Sequence, residues 1–273
     1  MMFTESLIWF RVILLILATI SFLPQLLRIR TKQSITGVSP CYILCNLISA
    51  TEQFTIYFYL LVNEYDPEGG TIFLHTPPSA GDWFSLCHSA VVSLLFLSLY
   101  EYPRHLTVDH RVSLCATYVG FLLVSVIPIF IESLWPMEKG LGRAILSAIF
   151  GMVHITIFYP IVTALGILAI FCQAREIQKV SFPNVLSVHT LAIQAVVFML
   201  IAVAWIWNLP FDYEEFRGQW GWRTLAMWYS CVGWVIINAF IFGLGQTALV
   251  IMALRHPSMA NVIQHGETAP LLG

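Results

Sequence analysis

The chain has 273 residues, 58% of them hydrophobic and only 10% charged, with a formal net charge of -2. A soluble domain carries about 25% charged residues, so this composition excludes an ordinary water-soluble enzyme. The net charge by itself says nothing about nucleic acid, and no nucleic-acid partner is expected. A mean hydropathy of +0.80 points instead to an all-α polytopic membrane protein.

Apolar runs of about 20 residues, the length that crosses a bilayer, recur at 7–27, 40–62, 82–101, 113–133, 143–172, 184–208 and 223–254. Seven transmembrane helices are therefore predicted. The first run lacks the basic flank and small-residue cleavage site of a removable signal, so it is read as a helix. Near its end lie Pro24 and Gln25, followed by the basic turn Arg28, Arg30 and Lys32 and by Ser34-Ile35-Thr36-Gly37-Val38-Ser39. Proline in a membrane helix frees a carbonyl and bends the rod, which is tolerated where neighbours or a cavity satisfy that group. A bent helix lining a cavity is expected here. The fifth and seventh runs exceed what a bilayer needs, and Pro160 is expected to kink the fifth.

Lys and Arg set the orientation. With the loop after the first helix in the cytosol, that side holds Arg28, Arg30, Lys32, Arg104, Arg111, Arg175, Lys179 and Arg255, eight of the 13 basic residues. The N-terminus is then lumenal or external and the C-terminus cytosolic. The six cysteines all lie in or beside apolar runs, which argues against a disulfide framework. No Cys/His spacing suggests zinc, and no cofactor is expected.

An internal repeat is visible. Ile167 through Gln173 echoes Ala18 through Gln25, and Lys179-x-Ser181 follows the second copy as Lys32-x-Ser34 follows the first. Asn184-Val185 then takes the place of Gly37-Val38, asparagine being the other residue that tolerates positive φ. Helices one to three thereby map onto five to seven, with the fourth as an inverting link, the parallel repeat of some transporters. The division is 1–101 for a first three-helix bundle, 102–142 for a linker helix, 143–254 for a second bundle and 255–273 for a cytosolic tail.

These residues resemble the PQ-loop family, which includes cystinosin and the vacuolar and lysosomal basic-amino-acid exporters, and more distantly the SWEET carriers and the KDEL receptor. Pro24-Gln25 through Lys32, Ser34, Gly37 and Ser39 matches the first motif well; Cys172-Gln173 through Lys179, Ser181 and Asn184-Val185 matches the second in part. The resemblance implies two three-helix bundles around a solute path, in a 3+1+3 arrangement. Hinges would lie at Pro24, Gln25 and Gln173. Cys172 stands where the family has its second proline, and Pro160 is the substitute bend.

Polar residues inside the runs mark the expected path. Glu52 is the only acid deep in one, and at 100° per residue it shares a face with Tyr42, Cys45, Asn46, Ser49 and Gln53. Ile43, Leu47, Phe54, Phe58 and Leu61 fall opposite, as a lipid-facing surface. A carboxylate at that depth costs several kcal/mol unless paired or hydrated, so Glu52 is expected to carry a proton. His88, His154 and His189 are each potential relay partners for it, although a lone membrane histidine is more often a packing residue. Asn238, near the middle of the seventh run, resembles the pore-facing asparagine of the sugar carriers, and helix–helix glue is the alternative. The assigned proton and solute path is Glu52, Asn46, Gln53, His88, His189 and Asn238. Trp205, Trp207, Trp220 and Trp222 are read as interfacial anchors.

The tail ends Glu267-Thr268-Ala269-Pro270-Leu271-Leu272. Glu267 with Leu271 and Leu272 resembles an acidic dileucine signal, implying a clathrin-adaptor-type partner and a vacuolar or lysosomal membrane. Gly-x-Ser-x-Gly and His-Glu-x-x-His motifs are missing, and the chain is not expected to be an enzyme. The expectation is a transporter of a small polar solute, an amino acid by preference, with a co-moving proton. The alternatives are a solute-sensing or cargo receptor of the same fold, or a sugar facilitator.

Overall fold

The computed structural model describes residues 2–32, 37–62, 80–100, 108–134, 141–179, 187–208 and 221–255, and these are helical apart from short turns at their junctions. The helices are α1 (Met2–Lys32), α2 (Pro40–Val62), α3 (Ala80–Tyr100), α4 (Val108–Ser125), α5 (Ile127–Leu134), α6 (Leu141–Val153), α7 (Tyr159–Lys179), α8 (Val188–Asn208), α9 (Trp222–Trp228) and α10 (Trp234–Arg255). Five-residue π-helical turns, His154–Phe158 and Tyr229–Gly233, join α6 to α7 and α9 to α10.

Among the described residues, five helices are long and apolar enough to cross a membrane, or six if the bent α4–α5 pair is one span, consistent with an integral membrane protein. The helix predicted over 40–62 is not among them, because Asn46, Thr51, Glu52 and Gln53 dilute its apolar character. Those groups are buried or half-buried against protein. The expected lipid face of α2 is corrected for the same reason. Ile43 and Leu47 are fully buried, and Phe54 and Phe58 pack on Phe130 of α5.

Six helices close a ring in the order α1, α3, α2, α7, α10, α8 and back to α1, while α4 and α5 pack on the outer side of α2. The centre is apolar and aromatic. Phe22 of α1 meets Phe96 of α3 at 5.1 Å and Phe198 of α8 at 6.1 Å, and Phe198 meets Phe242 of α10 at 4.4 Å. Close approach within the second half depends on glycine. A Cβ on Gly243 would lie 2.9 Å from Met199, and one on Gly245 would lie 2.6 Å from Ile170.

The prolines sit in different local settings. α1 runs through Pro24 to Lys32 as one helix. Pro160 follows the first π turn, and the whole stretch Ile145–Lys179 counts as one apolar helix of 35 residues. The wider turn, closed by the Tyr159 N–H on the His154 carbonyl, accommodates a residue that cannot donate in the normal ladder. A sharp break lies in the expected linker helix. α4 and α5 meet at about 40° across Val126, two residues before Pro128, which cannot donate to the helical ladder.

Candidate functional site

Two polar constellations lie on opposite sides of α2. The first lines a cavity of about 50 Å³ inside the ring, to which α2, α3, α7, α8 and α10 all contribute. It brings together Asn46, Gln53, His88 and Asn238, four of the six residues assigned to the path. Among the described residues, no Lys, Arg, Asp or Glu lines it. Asn46 Nδ2 donates to the Tyr42 carbonyl one turn back at 2.8 Å. Asn238 Oδ1 accepts from Thr163 of α7 at 3.0 Å, and Thr163 shares a 2.8 Å hydrogen bond with the Tyr229 hydroxyl. The buried Asn238 Nδ2 has no hydrogen-bond partner among the described residues.

Trp205, read as an interfacial anchor, also lines this cavity. It stacks on Tyr57 at 5.7 Å and sits edge-on to His88 at 6.5 Å. Trp222 is exposed, as an anchor would be. Phe96, Phe198 and Phe242 line the cavity, and Phe22 packs against all three. One turn beyond Phe242, Gln246 Nε2 donates to the Tyr42 hydroxyl at 2.6 Å. Beyond that, Gln173 is fully buried. Its Nε2 donates to the Gly37 carbonyl at 2.7 Å and its Oε1 accepts from the Ser39 amide at 2.9 Å. Gly37 has φ of 88°, a conformation that costs other L-residues. The glutamine of the second motif thus holds the turn that completes the first motif.

The second constellation is centred on Glu52, which is fully buried. Oε1 lies 2.5 Å from His154 Nδ1, and Oε2 accepts from Ser125 Oγ at 2.9 Å. Ser125 also reaches Thr55 Oγ1 at 3.3 Å. The imidazole is held between Phe150 and Phe158, with centroids at 4.1 and 4.7 Å. Each element places its group for a local reason. The π turn sets His154 on the inner side, and the break beside Pro128 ends α4 at Ser125, next to the carboxylate. His154 also lines a cleft of about 630 Å³ between α5 and α6, which holds the Arg143–Glu132 ion pair at 2.8 Å.

Glu52 therefore does not open into the cavity with Asn46 and Gln53, as its shared helical face suggested. Two more expectations change. His88 lines the cavity and is no partner for Glu52, while His189 is exposed on α8. Pro24 and Pro160 are exposed, whereas Gln25 and Gln173 are buried. Ser125 is the residue that sequence reasoning passed over; a serine inside the apolar run 113–133, three residues before Pro128, is its trace. Glu267, Leu271 and Leu272, like Ser181, Asn184 and Val185 of the second motif, lie outside the described residues. No family model matches the chain, and no curated protein or solved structure matches it either.

Proposed function

We propose that the chain is a PQ-loop-type transporter of a small polar solute, built as two three-helix bundles with a linking segment. The observation that carries this reading is the uncharged polar cavity shared by Asn46, Gln53, His88 and Asn238, enclosed where α2 and α3 face α8 and α10. The ring supports the repeat. Mapping α1, α2 and α3 onto α7, α8 and α10 turns each neighbouring pair of the ring into another neighbouring pair, including the two junctions α2 with α7 and α8 with α1.

About 50 Å³ accommodates a few water molecules but not an amino acid or a sugar. Loading then requires the helices to separate at one end. The Gln173 clamp and the Gln246–Tyr42 bond are the contacts released on the motif side. Glu52 and His154 form the proton-carrying pair, reached through the outer cleft, so proton and solute occupy opposite sides of α2 and are coupled by its movement. The site is then integral to a vacuolar or lysosomal-type membrane, with the tail presented to a sorting adaptor.

The test is uptake into reconstituted vesicles under an imposed pH gradient. Wild-type protein concentrates solute with the gradient, and Glu52→Gln still exchanges solute but no longer responds to it. A Glu52→Gln protein with unchanged gradient-driven uptake removes the pair from the mechanism. One observation favours a sugar over an amino acid as cargo: the cavity wall has amides, a hydroxyl and aromatic rings, but no fixed charge to meet an ammonium or a carboxylate. Screening both classes in the same vesicles decides between them.

A further inference from the structure

Three cysteines meet where α2 packs on α7, beside the Gln173 clamp. Cys172 Sγ lies 2.8 Å from Cys41 Sγ, and Cys45 Sγ lies 3.9 Å from Cys41 on the next turn of α2. All three are free thiols, with Cys41 and Cys172 half-buried. No group of this kind among the described residues is arranged to hold a metal ion. The remaining chemistry open to two thiols this close is oxidation. A disulfide bond is about 2.05 Å long, so the sulfurs need to approach by less than an ångström.

We infer that Cys41 and Cys172 are an oxidisable dithiol that takes a low-molecular-weight disulfide such as glutathione disulfide as its co-reactant. One thiolate attacks a sulfur of glutathione disulfide, forming a mixed disulfide and expelling one glutathione thiolate. The other cysteine then attacks the protein sulfur of that mixed disulfide and expels the second glutathione. The two protons lost by the protein thiols are taken up by the two glutathione thiolates, so the protein is oxidised by two electrons and the co-reactant is reduced by two. Cys45 is the less favourable partner, since its sulfur is farther away and on the same helix as Cys41. The product covalently joins α2 to α7, one of the two junctions between the halves of the ring, one turn from the bonds that Gln173 makes to Gly37 and Ser39. An oxidised chain cannot part these helices at that end.

The experiment uses the full chain in detergent or membranes, exposed to glutathione disulfide, quenched with a maleimide and mapped by non-reducing peptide mass spectrometry. A peptide linking Cys41 to Cys172 is expected in at least about tenfold excess over any linkage of the exposed Cys87 or Cys115, because the paired sulfurs react intramolecularly. Cys45→Ser retains the linkage and Cys172→Ser abolishes it. In the unmutated chain, oxidation raises the melting temperature and a thiol reductant reverses the rise. Persistent glutathione adducts without the linked peptide, a dominant Cys41–Cys45 linkage, or no reaction at either residue overturns the inference. None of these readouts depends on transport.

Discussion

Glu52 and His154 set the hardest constraint on the chain, because neither can be left alone in an apolar interior. Removing one member of a buried pair costs roughly 3–5 kcal/mol, since the other charge or dipole is stranded. His154→Ala is therefore expected to lower stability by about that amount. Glu52→Gln in the same chain should restore most of it, because no carboxylate remains to be compensated. Thermal unfolding of the purified variants checks this, and additive losses in the double variant would show that the two side chains do not form one unit. The sequence identified Glu52 correctly as a buried acid within an apolar run, but not its partner. Helical periodicity reports which side of α2 a residue occupies, whereas the choice among His88, His154 and His189 depends on packing between segments 102 residues apart. Asn46, Gln53 and Asn238 were legible because amides in an apolar run need partners whichever way the helices pack.

Helix α10 and the α4–α5 pair show how the elements carry the site. Gly243 and Gly245 let α10 approach α8 and α7 closely, an interface built on small residues. Gly245→Val places methyl groups where Ile170 already lies within 2.6 Å of a Cβ. Overpacking of this sort costs about 1–3 kcal/mol. The variant is expected to melt at a lower temperature, while Gly120→Val on the open side of α4, where a Cβ meets nothing within 4 Å, leaves the melting point unchanged. Equal effects would contradict the packing described for α10. The helical segments were readable from apolar length, with limits that agree to within a few residues at most ends, but among the described residues only five helices, or six with α4–α5 as one span, are long and apolar enough to cross a membrane. The breaks were less readable. Pro24 and Pro160 drew attention inside long runs, while the break of about 40° at Val126, two residues before Pro128, was not read from the sequence; α5 there covers Phe54 and Phe58. A proline's effect depends on whether the neighbouring turn can widen, as at His154–Phe158, and the local sequence does not show this.

Closure of the ring distributes the cavity lining over both halves of the chain, and in the proposed transport cycle contacts outside the cavity hold its motif side closed. Tyr42→Phe removes the acceptor for Gln246 Nε2, whose Oε1 already lacks a partner among the described residues. Leaving such a buried group unmet costs about 1–3 kcal/mol, which weakens the closed arrangement on the motif side. Gln173→Ala frees the Gly37 carbonyl and the Ser39 amide in the same way. Faster hydrogen exchange at Ser39 is expected in the Gln173→Ala chain, and protection equal to wild type would show that the clamp does not hold the turn.

The most direct test of a cavity that opens alternately to the two sides needs no knowledge of the solute. Ser49 lines the cavity; a Ser49→Cys chain with its native cysteines replaced is placed in sealed vesicles and exposed to a membrane-impermeant maleimide from each side in turn. Labelling from both sides is the predicted result, with faster labelling from the motif side when Tyr42→Phe is added. A cysteine that stays unreactive from one or both sides until the protein is unfolded would contradict an alternating path through this cavity.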